Sequence, residues 1–275
     1  MRPQLVALDV DGTIVHRAAG VPWHVEDDEL PSERVRRAVR AVEAAGIAVV
    51  LASGRMYPGT QRIHAHLELA TALVCQQGAA VHEPSGEVLH EFPLALDVAH
   101  GVIALAKRLD HPYEWFTPLR YLASRQNEPS DVYARLSGVP VEYHPNPEDL
   151  GVLPTGAGII SNHEDARGIH AELASRFAEA AHVIDFPGVT VCVAPDATKG
   201  HALEMLAADL GVARRHVVAI GDSVNDAPML AWAGRGYAPS HGDAYALDAA
   251  DEVLDMSRDD AVADLLERIA RGDEL

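Results

Sequence analysis

Leu5-Val6-Ala7-Leu8-Asp9-Val10-Asp11-Gly12-Thr13 is the stretch from which the fold can be read. Four apolar residues with no alternation describe a strand buried on both faces, the habit of a parallel sheet. The run ends abruptly in two aspartates and Gly-Thr, so the strand gives way to a polar loop. Downstream, Val35, Ala38, Val39 and Val42 recur at helical spacing within 31–45, and Gly46 is placed to stop that helix. Residues 47–52 form a second continuous apolar run, closed by Ser53-Gly54-Arg55, and a helix over 60–69 leads to a third run at 72–75. Strand, helix, strand, helix, strand predicts an α/β fold with a doubly wound parallel sheet.

From 84 to 190 the pattern changes. The apolar runs shorten, alternate with polar residues and acquire prolines, Pro112, Pro118, Pro129, Pro140, Pro145, Pro147 and Pro154 among them. Helices are expected at 97–109 and 164–180, and strands at 113–116, 120–124, 158–161, 182–185 and 190–194. This describes a smaller α+β domain with an antiparallel sheet, inserted between core segments 1–83 and 191–275. After 197 the first pattern resumes, with a helix at 200–210, a buried strand at 217–220 opening into Gly221-Asp222, and helices at 227–233 and 259–271. No repeat or low-complexity segment interrupts the chain.

The 275 residues are 48% hydrophobic and 23% charged, an ordinary globular balance, with a formal net charge of -19. That charge argues against nucleic acid or an anionic membrane as partner, because either would repel it. It leaves room for a small anionic substrate wherever a local cation reverses the field. Cys75 and Cys192 lie in apolar stretches and offer neither a disulfide framework nor a zinc spacing. His64 and His66 are two apart on an expected helix and point in different directions. No apolar run approaches the ~20 residues of a membrane helix, and Met1-Arg2-Pro3 leads straight into the first strand without a leader pattern. A cytoplasmic protein is expected; oligomeric state is left open.

In an open parallel sheet, ligands bind beyond the carboxyl ends of the strands. Asp9 and Asp11 follow the first strand, Ser53 the second, and Asp222, Asn225 and Asp226 the strand after the insertion, with Lys199 just ahead of the helix that leads to it. Taken singly, each has a duller reading as turn former, helix cap or solvated lysine. Together they converge on one edge. Four carboxylates in one cleft need a cation, and hard oxygen donors without histidine or cysteine select Mg²⁺. A lysine and a serine hydroxyl add what is needed to grip a phosphoryl group.

Asp9-Val10-Asp11-Gly12-Thr13 resembles the first motif of the haloacid dehalogenase (HAD) superfamily, Ser53-Gly54-Arg55 the second, Lys199-Gly200 the third, and Gly221-Asp222-Ser223-Val224-Asn225-Asp226 the fourth. The insertion between the second and third resembles the type IIB (C2B) cap of the Cof-like sugar-phosphatase branch. The resemblance implies an Mg²⁺-dependent phosphomonoesterase acting on a small phosphorylated metabolite, by default a sugar phosphate. It implies Asp9 as covalent nucleophile and Asp11 as proton donor and acceptor. Ser53, Gly54 and Lys199 would hold the phosphoryl oxygens, with Gly12 and Thr13 shaping the turn. Asp9, the main-chain carbonyl of Asp11, and Asp222 would ligate the metal, Asp226 would complete or orient that shell, and Asn225 and Arg55 would assist. Two positions that border the substrate in the family depart from its usual pattern, Gln77-Gly78-Ala79 and Gly242-Asp243-Ala244.

Asp11 speaks against a dehalogenase or a phosphonatase, neither of which places an acid at that position. A sugar phosphomutase would keep the same motifs. From another class, a signalling receiver domain also combines a phosphoacceptor aspartate with acidic residues, Ser/Thr and Lys, but needs neither the second aspartate nor an inserted cap; intact motifs argue against an inactive binding protein. Since the core recognises only the phosphoryl group, the insertion is expected to act as a specificity lid, with Trp115, Arg120, Tyr121, Arg125 and His144 as its candidate contacts; Gln77, in a core loop, is a further specificity candidate.

Overall fold

The computed structural model describes residues 2–15, 30–186, 188–257 and 260–274. Its first third runs β1 (Leu5–Leu8), α1 (Glu33–Ala44), β2 (Ala48–Leu51), α2 (Tyr57–His66), β3 (Leu73–Cys75), β4 (Ala80–His82) and β5 (Val88–Glu91). The middle runs α3 (Leu96–Arg108), β6 (Tyr113–Phe116), β7 (Tyr121–Ala123), α4 (Glu128–Ser137), β8 (Val141–Tyr143), β9 (Gly156–Ile160), α5 (His163–Phe177), β10 (His182–Phe186) and β11 (Val189–Val193). The last part is α6 (Lys199–Asp209), β12 (Val217–Ile220), α7 (Ala227–Trp232), β13 (Arg235–Pro239), α8 (Ala244–Ala249), β14 (Glu252–Leu254) and α9 (Ala261–Arg271). Met1 and Asp259, the expected start of the last helix, lie outside the described residues.

β1 is an inner strand of a five-stranded sheet ordered β14-β13-β12-β1-β2, parallel throughout. The pleat sends successive side chains to opposite faces, and both faces are covered. Val6 and Leu8 join Val49, Leu51, Val218 and Ile220 under α1 and α9. Leu5 and Ala7 join Val50, Val217 and Ala219 under α6 and α7. Burial on both sides is the reason these strands read as unbroken apolar runs. α1 starts where Ser32 Oγ accepts the Val35 N–H at 3.1 Å. α2 starts at Tyr57, ahead of the expected Thr60, because Pro58 fits a first turn whose N–H groups have no helical partner. The third apolar run joins β2 through a single parallel bridge, Ala52 to Val74, and pairs mainly with β4 in a three-stranded antiparallel sheet, β3-β4-β5.

A six-stranded sheet, β10-β11-β9-β6-β7-β8, forms the second layer. It is not wholly antiparallel as expected: β7 and β8 run parallel. Parallel neighbours need a crossover, and α4 supplies it, a helix the apolar pattern did not announce because Val132, Tyr133 and Leu136 are only half-buried. Its end signals are present in the sequence: Asn127 accepts the Ser130 N–H at 2.8 Å, Pro129 sits in the first turn, and Gly138 closes the helix. The expected insertion limits fall within the β4–β5 turn, at 84, and inside β11, at 190.

The two faces of this sheet differ. Tyr113, Trp115, Leu122, Ala157, Ile159 and Cys192 pack beneath α3 and α5. Phe116, Tyr121, Ile184, Val191 and Val193 share a cluster with Met56 and Ala79 of the first third of the chain. α4 docks on α2: the Ser137 hydroxyl accepts the Met56 N–H at 3.2 Å, and the Tyr133 hydroxyl donates to the Gly54 carbonyl at 3.1 Å. The second sheet therefore covers the carboxyl edge of the first.

Candidate active site

Asp9 leaves β1 with its N–H donating to the Ile220 carbonyl at 2.9 Å, so the strand register carries it to the sheet edge. The chain then turns back, with Ile14 and Val15 donating to the Val10 carbonyl. Gly12 makes the turn at φ 93°, and a Cβ there would lie 2.2 Å from Asp222 Oδ2. Glycine is needed on both counts, backbone and space. Thr13 Oγ1 donates to Asp222 Oδ1 at 3.2 Å, tying the first loop to the fourth.

Lys199 is the first residue of α6, which Thr198 caps by accepting the His201 N–H at 3.1 Å. Its side chain is wholly buried, with Nζ 2.6 Å from both Asp9 Oδ1 and Asp226 Oδ1. Gly78, at φ 103°, gives the turn after β3 close access to this helix start, since a Cβ there would meet the Thr198 carbonyl at 2.2 Å. Asp226 turns its other oxygen to its own loop, accepting the N–H groups of Asp222 and Ser223 at 3.0 Å each. Arg55, almost fully buried, grips the Asp11 carboxylate with both arms, Nε to Oδ2 at 2.8 Å and Nη2 to Oδ1 at 2.6 Å. Ser53 is buried behind Gly54, and its hydroxyl accepts the Arg55 N–H at 3.1 Å.

The electrostatics call for a further cation. Asp9, Asp11, Asp222 and Asp226 supply four carboxylates, Lys199 and Arg55 two cations, which leaves two negative charges when all are ionised. Burial, then the nearby Asp226, hold the Asp9 carboxyl well above its usual range despite Lys199. Burial and Asp226 likewise push Asp222 up to about 6. Burial alone would lower Lys199, yet Asp226 and Asp9 keep it above the usual lysine value. Asp9 Oδ2 is buried with no hydrogen-bond partner among the described residues. Asp9, Asp222 and Asp226 each offer a carboxylate oxygen within 4.8 Å of the others. An orphaned anionic oxygen among hard donors fits a divalent cation of the Mg²⁺ type.

The other expected residues divide sharply. Asp9, Asp11, Gly54, Arg55, Gln77, Asp222 and Asn225 line one cavity of about 540 Å³, while Ser53, Lys199, Gly12, Thr13 and Asp226 are not part of its lining. Gln77 sits at φ 64° and accepts a hydrogen bond from the Asn225 amide. Asp243 is a helix cap: it accepts the Ala246 N–H at 2.9 Å and the Val224 N–H at 2.6 Å, pinning the fourth loop to α8.

Arg120, Arg125 and His144 do not line the cavity. Arg120 leaves the β6–β7 turn and pairs with Glu142 at 2.9 and 2.7 Å, Arg125 pairs with Asp110, and His144 Nδ1 accepts the Asn146 N–H at 3.2 Å. Polar groups at strand ends found nearby partners on the rim. Trp115 faces the helices and donates to the Val152 carbonyl at 3.1 Å. Tyr121 is on the cavity side but fully buried, stacked on Phe116 at 5.0 Å and donating to Glu114. Glu114, a cavity-lining carboxyl, escaped the sequence reading. Its signal was an acid between aromatic residues in Tyr113-Glu114-Trp115-Phe116.

Residues 6–266 match the family of haloacid dehalogenase-like hydrolases. The putative phosphatase YxeH of Bacillus subtilis is 27% identical over 268 residues, spanning 94% of this chain and 96% of that protein. The HMP-PP phosphatase of Escherichia fergusonii is 28% identical over 241 residues, 85% of this chain and 83% of that protein. A solved haloacid dehalogenase-like hydrolase from Bacteroides thetaiotaomicron shares the fold, with a TM-score of 0.81 over 98% of this chain and 100% of that one at 24% identity. With the match running from the first strand into the last helix, and with phosphatases similar along most of their length, the chain belongs to the haloacid dehalogenase-like hydrolase family and is a phosphatase of its Cof-like type.

Proposed function

We propose that the chain hydrolyses the phosphomonoester of a small metabolite through an aspartyl phosphate on Asp9. The observation that carries this is the Asp9 carboxylate itself: Lys199 fixes Oδ1 at 2.6 Å while Oδ2 is buried and has no partner among the described residues. A carboxylate oriented by a lysine and stripped of hydration is set up as a nucleophile. Its oxygen forms a bond to phosphorus as the bond from phosphorus to the leaving oxygen breaks. Asp11 gives that oxygen a proton, then takes one from the water that cleaves the aspartyl phosphate. The double grip of Arg55 aims Asp11, Lys199 offsets charge on Asp9, and Gly54 with buried Ser53 forms the phosphoryl seat. Mg²⁺, held by Asp9, Asp222 and the Asp11 carbonyl, would neutralise the repulsion between a phosphate dianion and this acidic cluster. Asp226 orients the set, since Lys199 and two loop N–H groups engage its oxygens.

The chemistry is tested with a phosphate-labelled aryl ester quenched in acid. Label should appear in the peptide containing Asp9, and Asp9→Asn or excess EDTA should stop turnover. Near-normal turnover in Asp9→Asn, with deamidation excluded by mass spectrometry, would remove the covalent step; unchanged turnover in EDTA after dialysis would remove the metal. A sugar phosphate draws less support than a small metabolite in general, because the wall opposite Asp9 is mostly carbon.

A further inference from the structure

The wall of the cavity opposite Asp9 is built by the second sheet and α4, with Phe116, Phe186, Val189, Val191 and Leu136 as its surface. Several polar groups there are committed within the protein. Thr155 donates to the Gln76 side chain at 2.7 Å, the Gln76 amide donates to the Thr117 carbonyl at 2.6 Å, and Tyr133 donates to Gly54. Glu114 is different. It lies in the middle of β6, only 3% exposed, on the cavity side of the sheet. Both hydrogen bonds it receives, from the Tyr121 hydroxyl and from Ser130 Oγ at 2.7 Å, end on Oε1. Among the described residues Oε2 receives none, and it lies over Gly158, where a Cβ would stand 3.2 Å away. Among the described residues, the groups that act on this carboxyl are those two hydroxyls, and no cation is among them.

An unpaired carboxylate in an apolar wall is costly, and burial accordingly pushes this one up to about 7. A ligand that brings a positive nitrogen to Oε2 removes that cost. A sugar does the opposite, since its hydroxyls would face carbon along most of the wall. Resting on the phosphatase reading, we propose that Glu114 recognises the leaving group, and that this group is an apolar, ring-sized body carrying a cationic nitrogen: the substrate class is the phosphate ester of an aromatic amino alcohol. Phe116, Phe186 and the valines of β11 receive the ring, Glu114 Oε2 receives the N–H, and Asp9 meets the phosphate.

Two probes of equal shape test this, para-(aminomethyl)benzyl phosphate and para-methylbenzyl phosphate, with the intact protein and Mg²⁺. The wild type should favour the amine ester in kcat/KM by about tenfold to a hundredfold, the range expected of a charge-assisted hydrogen bond, and should rank a hexose monophosphate below it. Glu114→Gln keeps an oxygen for Tyr121 and Ser130 and should bring the ratio of the two benzyl esters close to one. Calorimetric binding of the corresponding alcohols reads the same preference without turnover, so failed hydrolysis with retained preference for the amino alcohol would count against the phosphatase reading and for Glu114. Equal or weaker binding of the amino alcohol to the wild type would overturn the proposal, whatever the variant does. A folded Glu114→Gln that keeps the wild-type ratio would overturn it as well.

Discussion

Replacing Glu114 by glutamine should change how stability depends on pH, and the size of the change follows from the site. Burial is the main cause that lifts this carboxyl from its usual 4.5 to about 7, with the hydroxyls of Tyr121 and Ser130 pulling it partly back. In the unfolded chain the group ionises near 4.5; in the folded protein it keeps its proton until about 7. Between those values the native state holds a proton that the unfolded state has lost, so raising the pH favours unfolding by about 1.4 kcal/mol per pH unit. The stability linked to this proton is complete below 4.5 and is lost as pH rises through 7, about 3 kcal/mol in all. Glutamine has no such proton. The stability of Glu114→Gln minus that of the wild type should therefore grow by about 3 kcal/mol between pH 4.5 and about 8. Urea unfolding in EDTA at stepped pH measures it, and Trp115, buried on the same strand and facing the other side, gives a fluorescence signal from the right place. Parallel curves for the two proteins would mean that the carboxyl is solvated or already paired, and that its second oxygen is no seat for a cation.

Lys199→Met should cost about 3–5 kcal/mol in metal-free protein, because it leaves the buried carboxylates of Asp9 and Asp226 without their shared cation; scanning calorimetry showing a loss under 1 kcal/mol would contradict the buried clamp. Gly12→Ala places a methyl against the Asp222 carboxylate at a backbone angle alanine avoids, so Mg²⁺ affinity should fall tenfold or more and stability by about 1–3 kcal/mol, checked by metal titration and urea unfolding. Arg120→Ala removes an exposed pair with Glu142 and should cost no more than about 1 kcal/mol; unaltered kcat/KM on the amine ester is expected, and a large fall would return Arg120 to the substrate.

How much was legible beforehand divides along a physical line. The parallel core declared itself because a strand covered on both faces has no polar face, so 5–8, 47–52 and 217–220 are apolar throughout and buried at every residue but the half-buried Ala48. Chain order then brought Asp9, Ser53 and Asp222 to one edge, since parallel strands all end on the same side. The clamp itself was not written locally: Lys199 meets Asp9 across 190 positions and Asp226 across 27, and only the register of α6 against the sheet aims its side chain between them. Asp243, expected near the substrate, became the cap that pins the fourth loop, a role set by where α8 packs. The second sheet was harder still. An alternating strand such as Tyr113-Glu114-Trp115-Phe116 defines two faces by its period of two but does not say which one the helices will take. Pairing of Glu114 with Gly158, and of Gly158 with Val191, turned the acid toward the cavity and Trp115 toward α3 and α5. The core, the order of its motifs and the crowding of four aspartates at one edge are written in the chain; which side chains look into the cleft follows from tertiary pairing, because a face is chosen by what packs on the other one.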